Sequence, residues 1–177
     1  MTTLWEKWEE VFEGASPAEY DQVHGQGVPA AVVWREREIW PFDGRVHCSG
    51  AVWWALVEML KKFTDLQEDA EMDNKMIEAL RLAAWEDLDP DKRGDLPILL
   101  GELGLADYSN EPPQEGDICQ VWRTNGTGHL IVCAGWEDGK MLEWSASKHN
   151  ANGTGTRHFS GTVEQYFTAR LKEEFFR

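Results

Sequence analysis

His47-Cys48-Ser49-Gly50 opens the stretch HCSGAVWWALVEMLKKF, residues 47–63, in which Val52, Trp53, Leu56, Val57, Leu60 and Phe63 recur at helical spacing. No other segment of the chain is so strongly amphipathic, so this one is expected to be the central helix. Cys48 then stands at its mouth. A helix N-terminus carries partial positive charge and unpaired N–H groups, so a cysteine there tends toward thiolate and has oxyanion donors beside it.

On the N-terminal side, residues 1–40 read as helices and a strand. Thr3 with Glu6 forms a capping box ahead of a helix that places Leu4, Trp5, Trp8, Val11 and Phe12 on one face, and Gly14 ends it. Ser16 and Pro17 open a short second helix over residues 18–23, GQGVP (25–29) is a turn, and residues 30–40 are extended with a bend at Arg35. Residues 41–63 make up the turn PFDG and the nucleophile helix.

On the C-terminal side, residues 71–105 form a helical insertion, DNKMIEALRLAAWEDL followed by LPILLGELGL, so that nearly everything before the prolines at 112–113 is helical. From residue 116 the pattern alternates. ICQVWR, HLIVCAGW and KMLEWSAS are strands joined by TNGTG and EDG, both hairpin turn sequences, and TRHF (156–159) is a further short strand. Thr162 with Gln165 reads as a capping box over TVEQYF, and the last residues are strand or helix. Helices first and an antiparallel sheet over 116–177 predict an α+β fold in one domain spanning 1–177, with the Cys48 helix packed on the sheet.

Composition narrows the function classes. With 32 acidic and 17 basic residues the formal net charge is −15, and no basic cluster offers a footing for nucleic acid. Mean hydropathy is −0.51 and no long apolar run could span a membrane. The acidic, amphipathic N-terminus resembles neither a signal nor a transit peptide, so synthesis in the cytoplasm is expected, with a delivery route independent of Sec signals left open. The three cysteines cannot form a disulfide framework. Cys119 and Cys133 fall about opposite each other in a hairpin, where a cross-strand disulfide is conceivable, but two reduced, buried strand cysteines are expected. Residues 89–95 begin like a calcium loop with Asp89, Asp91 and Gly94, but Arg93 takes a ligand position and Leu100 stands where a bidentate glutamate is needed, so no metal or other cofactor is expected.

A nucleophilic cysteine needs a base and a group that orients the base, brought together by folding. His129 follows Gly126 and Gly128 at the start of a strand and is the expected base. Glu143 comes up on the next strand and is the expected orienting residue, with Ser145, Ser147 and Asn150 as weaker alternatives. The turn between the strands resets the register, so parity alone leaves the meeting of 129 and 143 undecided. His47, Trp53 and Trp144 are the expected substrate-binding residues, and Trp40 and Trp54 are near them in sequence. His24, His149 and His158 are read as turn, loop or exposed histidines.

HCSGAVWWAL (47–56), EGDICQVW (115–122) and GHLIVCAGW (128–136) occur in the order and setting of the motifs of the papain-like NlpC superfamily of cell-wall amidases and endopeptidases, which this chain resembles over residues 40–177. It also resembles the related CHAP amidases, which often carry a glutamate at the position Glu143 occupies, and the amidase toxins of type VI secretion, which need no Sec signal. The resemblance implies a papain-like fold and cleavage of an amide in bacterial peptidoglycan stem peptides by Cys48, His129 and Glu143. It also implies, for a toxin, an immunity or inhibitor protein as partner. His47 stands where many members carry aspartate, and their upstream tyrosine-glycine pair is absent from IWPFDGRV. The helices of 71–105 are extra and could cover or narrow the substrate groove. Acyl transfer through the same Cys-His pair and a catalytically decayed binding module are the alternative functions.

Overall fold

The computed structural model describes residues 2–21, 27–86 and 90–176. Helix α1 (Leu4–Phe12) begins as its capping box requires: the Thr3 side chain accepts from the Glu6 N–H at 3.2 Å and the Glu6 carboxylate accepts from the Thr3 N–H at 2.6 Å. Its apolar face is pinned by Trp8, fully buried, whose indole N–H donates to the Gly116 carbonyl at 2.9 Å. The expected helix over 18–23 does not form in its described part. Glu19–Tyr20 is instead a strand, β1, because its N–H groups are claimed by Gly44 and, through Asp21, by Val46. Residues 22–26, which include His24 and the start of the expected GQGVP turn, lie outside the described residues, as does Asp89 of the acidic run.

The extended reading of 30–40 becomes a hairpin, β2 (Val32–Trp34) and β3 (Arg37–Trp40), turning where Arg35 and Glu36 take φ of 48° and 62°. Two consecutive positive φ values are the two-residue turn that matches strand twist. Strand β4 (Arg45–Val46) pairs in parallel with β1 and leads directly into α2 (Cys48–Phe63). Helices α3 (Asn74–Glu86) and α4 (Asp95–Glu102) come next, and then β5 (Ala106–Ser109), a strand inside the region expected to be helical.

The remaining strands are β6 (Ile118–Arg123), β7 (Gly128–Glu137), β8 (Lys140–Ala146), β9 (Thr154–His158) and β10 (Val163–Leu171). They form with β5 a six-stranded antiparallel sheet in the order β5-β10-β6-β7-β8-β9, so the fold is α+β as expected. The capping box expected at Thr162 and Gln165 opens no helix. The apolar residues Phe167, Ala169 and Leu171 alternate along β10, Thr168 between the first two being buried with its hydroxyl donating to the Glu111 carbonyl, and the strand is hydrogen-bonded on both sides.

Helix α2 packs on β7 and β8, with α1 and α3 against its other faces, and α4 packs on β5 and β10. Val52 and Leu56 of α2, Ile77 and Leu80 of α3, Leu96 and Leu100 of α4, and Leu130, Val132 and Trp144 of the sheet belong to one apolar core. Alternate residues of the same strands, Cys119, Val121, Ile131, Cys133 and Met141, form a second, smaller cluster. Cys119 pairs with Ile131 and Cys133 donates its N–H to Asp117, so the two cysteines are diagonal neighbours, both free and fully buried. Burial pushes their thiols up, to about 12 and about 11, which suits inert apolar residues.

The Gly116-Asp117 pair turns out to be architectural. Gly116 takes φ of 87°, and Asp117, 1 % exposed, accepts from the Gln114 N–H at 2.8 Å and from the Arg170 guanidinium at 3.2 and 3.0 Å, tying the entry of β6 to β10.

Candidate active site

Cys48 is the first residue of α2, preceded by His47 in extended conformation (φ −129°, ψ 158°). The helix mouth is seated by close backbone contact. The His47 N–H donates to the Gly27 carbonyl at 3.0 Å, and a Cβ on Gly50 would lie 1.9 Å from that same oxygen, so only glycine fits there. The first intrahelical bond runs from the Ala51 N–H to the His47 carbonyl, leaving the N–H groups at the start of the helix free of acceptors within it.

His129 stands at the start of β7, which runs antiparallel to β8, and register pairs Val132 with Trp144 and Cys133 with Glu143. Odd positions therefore share a face, which answers the parity question left open by the turn. His129 and Glu143 meet: Nε2 lies 3.3 Å from each carboxylate oxygen, with hydrogen-bond geometry to Oε1. Oε2 is buried and, among the described residues, lacks a hydrogen-bond partner. Ser145 Oγ is 3.2 Å from the same Nε2 and donates to Glu143 Oε1 at 3.5 Å.

The charges are mutually dependent. Burial pushes the Cys48 thiol up, but the His47 charge and hydrogen bonds from His129 and His47 outweigh it and hold the thiol well below its usual value. His129 is pushed up to about 9: burial disfavours its charge, and the Glu143 carboxylate together with a hydrogen bond to Cys48 overcomes that penalty. Glu143 is lowered, since the charge and hydrogen bond of His129 prevail over burial. The directions of these shifts favour a thiolate beside a protonated imidazole and a buried carboxylate, groups that can attack an electrophilic carbon and deliver a proton to the group that leaves.

Of the expected substrate-binding residues only His47 is at the site. Its Nδ1 is 3.6 Å from Cys48 Sγ, and burial, which opposes its charge, is outweighed by the neighbouring thiolate, so its pKa is raised. Trp53 is fully buried with its indole N–H donating to the Ile77 carbonyl at 3.2 Å, and Trp144 stacks on Phe12 at 3.9 Å between ring centroids. Neither lines the cavity, because both are spent on the core. Trp54 is likewise a core residue, and Trp40 packs with Trp85 and Arg81. Ser147 and Asn150 do not reach the imidazole: Ser147 Oγ accepts from Arg157 at 2.8 Å, and Asn150 donates to the Ser145 carbonyl at 3.0 Å.

The cavity over Cys48 has a volume of about 210 Å³. A larger hollow of about 330 Å³ between Phe63 and Phe175 is lined by neither cysteine nor histidine. No described residue of 71–105 borders the Cys48 cavity, contrary to expectation, because α3 and α4 pack against α2, β5 and β10 instead. Residues that sequence reading missed do border it. Tyr20 of β1 stacks on His47 at 5.6 Å between ring centroids, and its hydroxyl is raised by burial and by the charge and hydrogen bond of Cys48. Arg123, Lys148 and Arg157 also line it, and His149, read as a loop histidine, joins them. The signal for Arg157 lay in the pairing of TRHF with the Glu143 strand, visible only once register was known. His158, by contrast, is exposed and 3.3 Å from Glu137. No group of side chains suited to hold a metal occurs among the described residues.

Comparison of the chain with protein-family models, curated proteins and solved structures returns no match.

Proposed function

We propose that the protein is a cysteine hydrolase of amide bonds, with Cys48 as nucleophile, His129 as general acid-base and Glu143 as the residue that orients His129. The observation that carries this reading is the meeting of Cys48, at the N-terminus of α2, with His129 in one cavity, His129 lying 3.3 Å from the buried Glu143 carboxylate. The thiolate adds to the amide carbonyl, and the free N–H groups of the first turn of α2 face the oxyanion that forms. Collapse breaks the C–N bond as His129 gives its proton to the departing amine. Water, deprotonated by His129, then attacks the thioester, releasing the acid and restoring the thiolate-imidazolium pair. An intact set of three groups gives the decayed-module reading no support.

The papain-like reading of the fold is supported by the packing of α2 on an antiparallel sheet that supplies the base, and the NlpC resemblance favours bacterial peptidoglycan stem peptides as substrate. Digestion of purified muropeptides tests this. The wild type should release new amine and carboxyl ends while Cys48→Ala releases none, and undiminished cleavage by Cys48→Ala would overturn the assignment.

A further inference from the structure

The wall of the Cys48 cavity inverts the charge of the molecule. In a chain of net charge −15, three cationic side chains, Arg123, Lys148 and Arg157, face a cavity whose only carboxylate among the described residues is Glu143, and that carboxylate is already committed to His129. Arg123 and Arg157 converge on one residue: Arg123 Nε donates to the Ser160 carbonyl at 2.9 Å, and Arg157 Nη2 donates to the Ser160 hydroxyl at 3.2 Å. Arg157 is further set by Ser147 Oγ at 2.8 Å, and Arg123 lies over the Phe159 ring at 4.7 Å. These are neutral partners that fix orientation without cancelling charge. Among the described residues no carboxylate comes within ion-pair distance of Arg123 or Lys148, and Arg157 has only Glu143, at 3.7 Å. Burial disfavours the charge of Arg123, and Glu143 and the thiolate offset only part of that penalty.

Among the described residues Arg157 has one carboxylate at 3.7 Å and Arg123 none within ion-pair distance; such partly buried guanidinium groups lining a cavity gain from an incoming anion, and their planar forks fit a carboxylate in particular. From this geometry we infer that the site takes an anionic peptide, one whose carboxylate, close in the chain to the amide over Cys48, is held by Arg123, Arg157 and Lys148. The inference deepens the hydrolase reading and rests on it for the position of the amide, but the anion pocket can be tested without turnover.

Two peptides serve as probes: acetyl-Ala-Glu-Ala with free carboxylates, and its uncharged counterpart acetyl-Ala-Gln-Ala amide. Titration calorimetry on Cys48→Ala protein should give binding of the anionic peptide at least about tenfold tighter than of the neutral one. That preference should shrink to about twofold or less in Cys48→Ala carrying Arg123→Gln and Arg157→Gln. Lys148→Gln, at an exposed position, should lower it by a smaller factor and keeps the test readable if the double arginine variant fails to fold. Equal binding of the two peptides, binding of neither, or a preference unaffected by all of these substitutions would overturn the inference. Turnover of the same peptides by the wild type is read separately: an anion preference without cleavage would support the pocket while counting against the hydrolase.

Discussion

At Cys48, His129 and Glu143 the chemistry is set by which protonation states survive burial. The reactive form needs the thiol ionised and His129 protonated. Because the thiol lies well below its usual value, activity should persist on the acid side of the free-thiol pKa of about 8.5, and because His129 is held up to about 9, activity should fall as pH rises through that value. The same proton has a stability sign. Folded His129 binds it more tightly than the unfolded chain does, so its stabilisation is complete below the unfolded value of about 6.5 and is lost as pH rises through about 9. Glu143→Gln removes the largest influence raising His129, so the alkaline limb of kcat/KM should move to lower pH by about one to three pH units. An unmoved alkaline limb would show that Glu143 does not hold the imidazolium.

The elements act by bringing these residues to one place, and the tightest joint is the mouth of α2. Gly50 would ordinarily gain about 0.5–1 kcal/mol on replacement by alanine within a helix. Here the new Cβ would sit 1.9 Å from the Gly27 carbonyl, a backbone atom that cannot swing aside, so the mouth must shift and the sign reverses. Gly50→Ala should cost about 1–3 kcal/mol in denaturant unfolding and slow alkylation of Cys48, since the thiol moves away from both imidazoles. The glycine in HCSG was visible in the sequence, but its reason was not: it is the approach of a distant segment, Gly27, to the first turn of the helix. The strand at 19–20 was hidden for the same kind of reason. Its backbone donors are satisfied across space by Gly44 and Val46, which local propensity over residues 18–23 cannot register.

Across the whole molecule acids outnumber bases by 32 to 17, and three of the cations, Arg123, Lys148 and Arg157, line the cavity. Self-repulsion among the acids opposes compaction, and added salt screens it. The thermal midpoint should therefore rise by several degrees between about 20 mM and about 500 mM NaCl, and a midpoint that falls would show that exposed ion pairs outweigh the repulsion. No helix among the described residues is long and apolar enough to cross a membrane. The helices of 71–105 contribute to the shared core through Ile77, Leu80, Leu96 and Leu100, so their place is in stability rather than at the groove.

Hydrophobic periods and end signals along the chain were enough to specify the capped first helix, the central helix behind Cys48, which is buried on nearly all sides, and the hairpins about TNGTG and EDG, and hence Cys48 and His129 on separate elements. Those are local properties, settled by side-chain spacing and turn chemistry within a few residues. The meeting of His129 with Glu143, the withdrawal of Trp53 and Trp144 into the core, the stacking of Tyr20 on His47 and the arginines facing the thiol were decided only by tertiary structure. Each depends on register, on packing or on an approach between residues far apart in the chain, and a side chain's exposure and charge state are fixed by those neighbours rather than by its own segment.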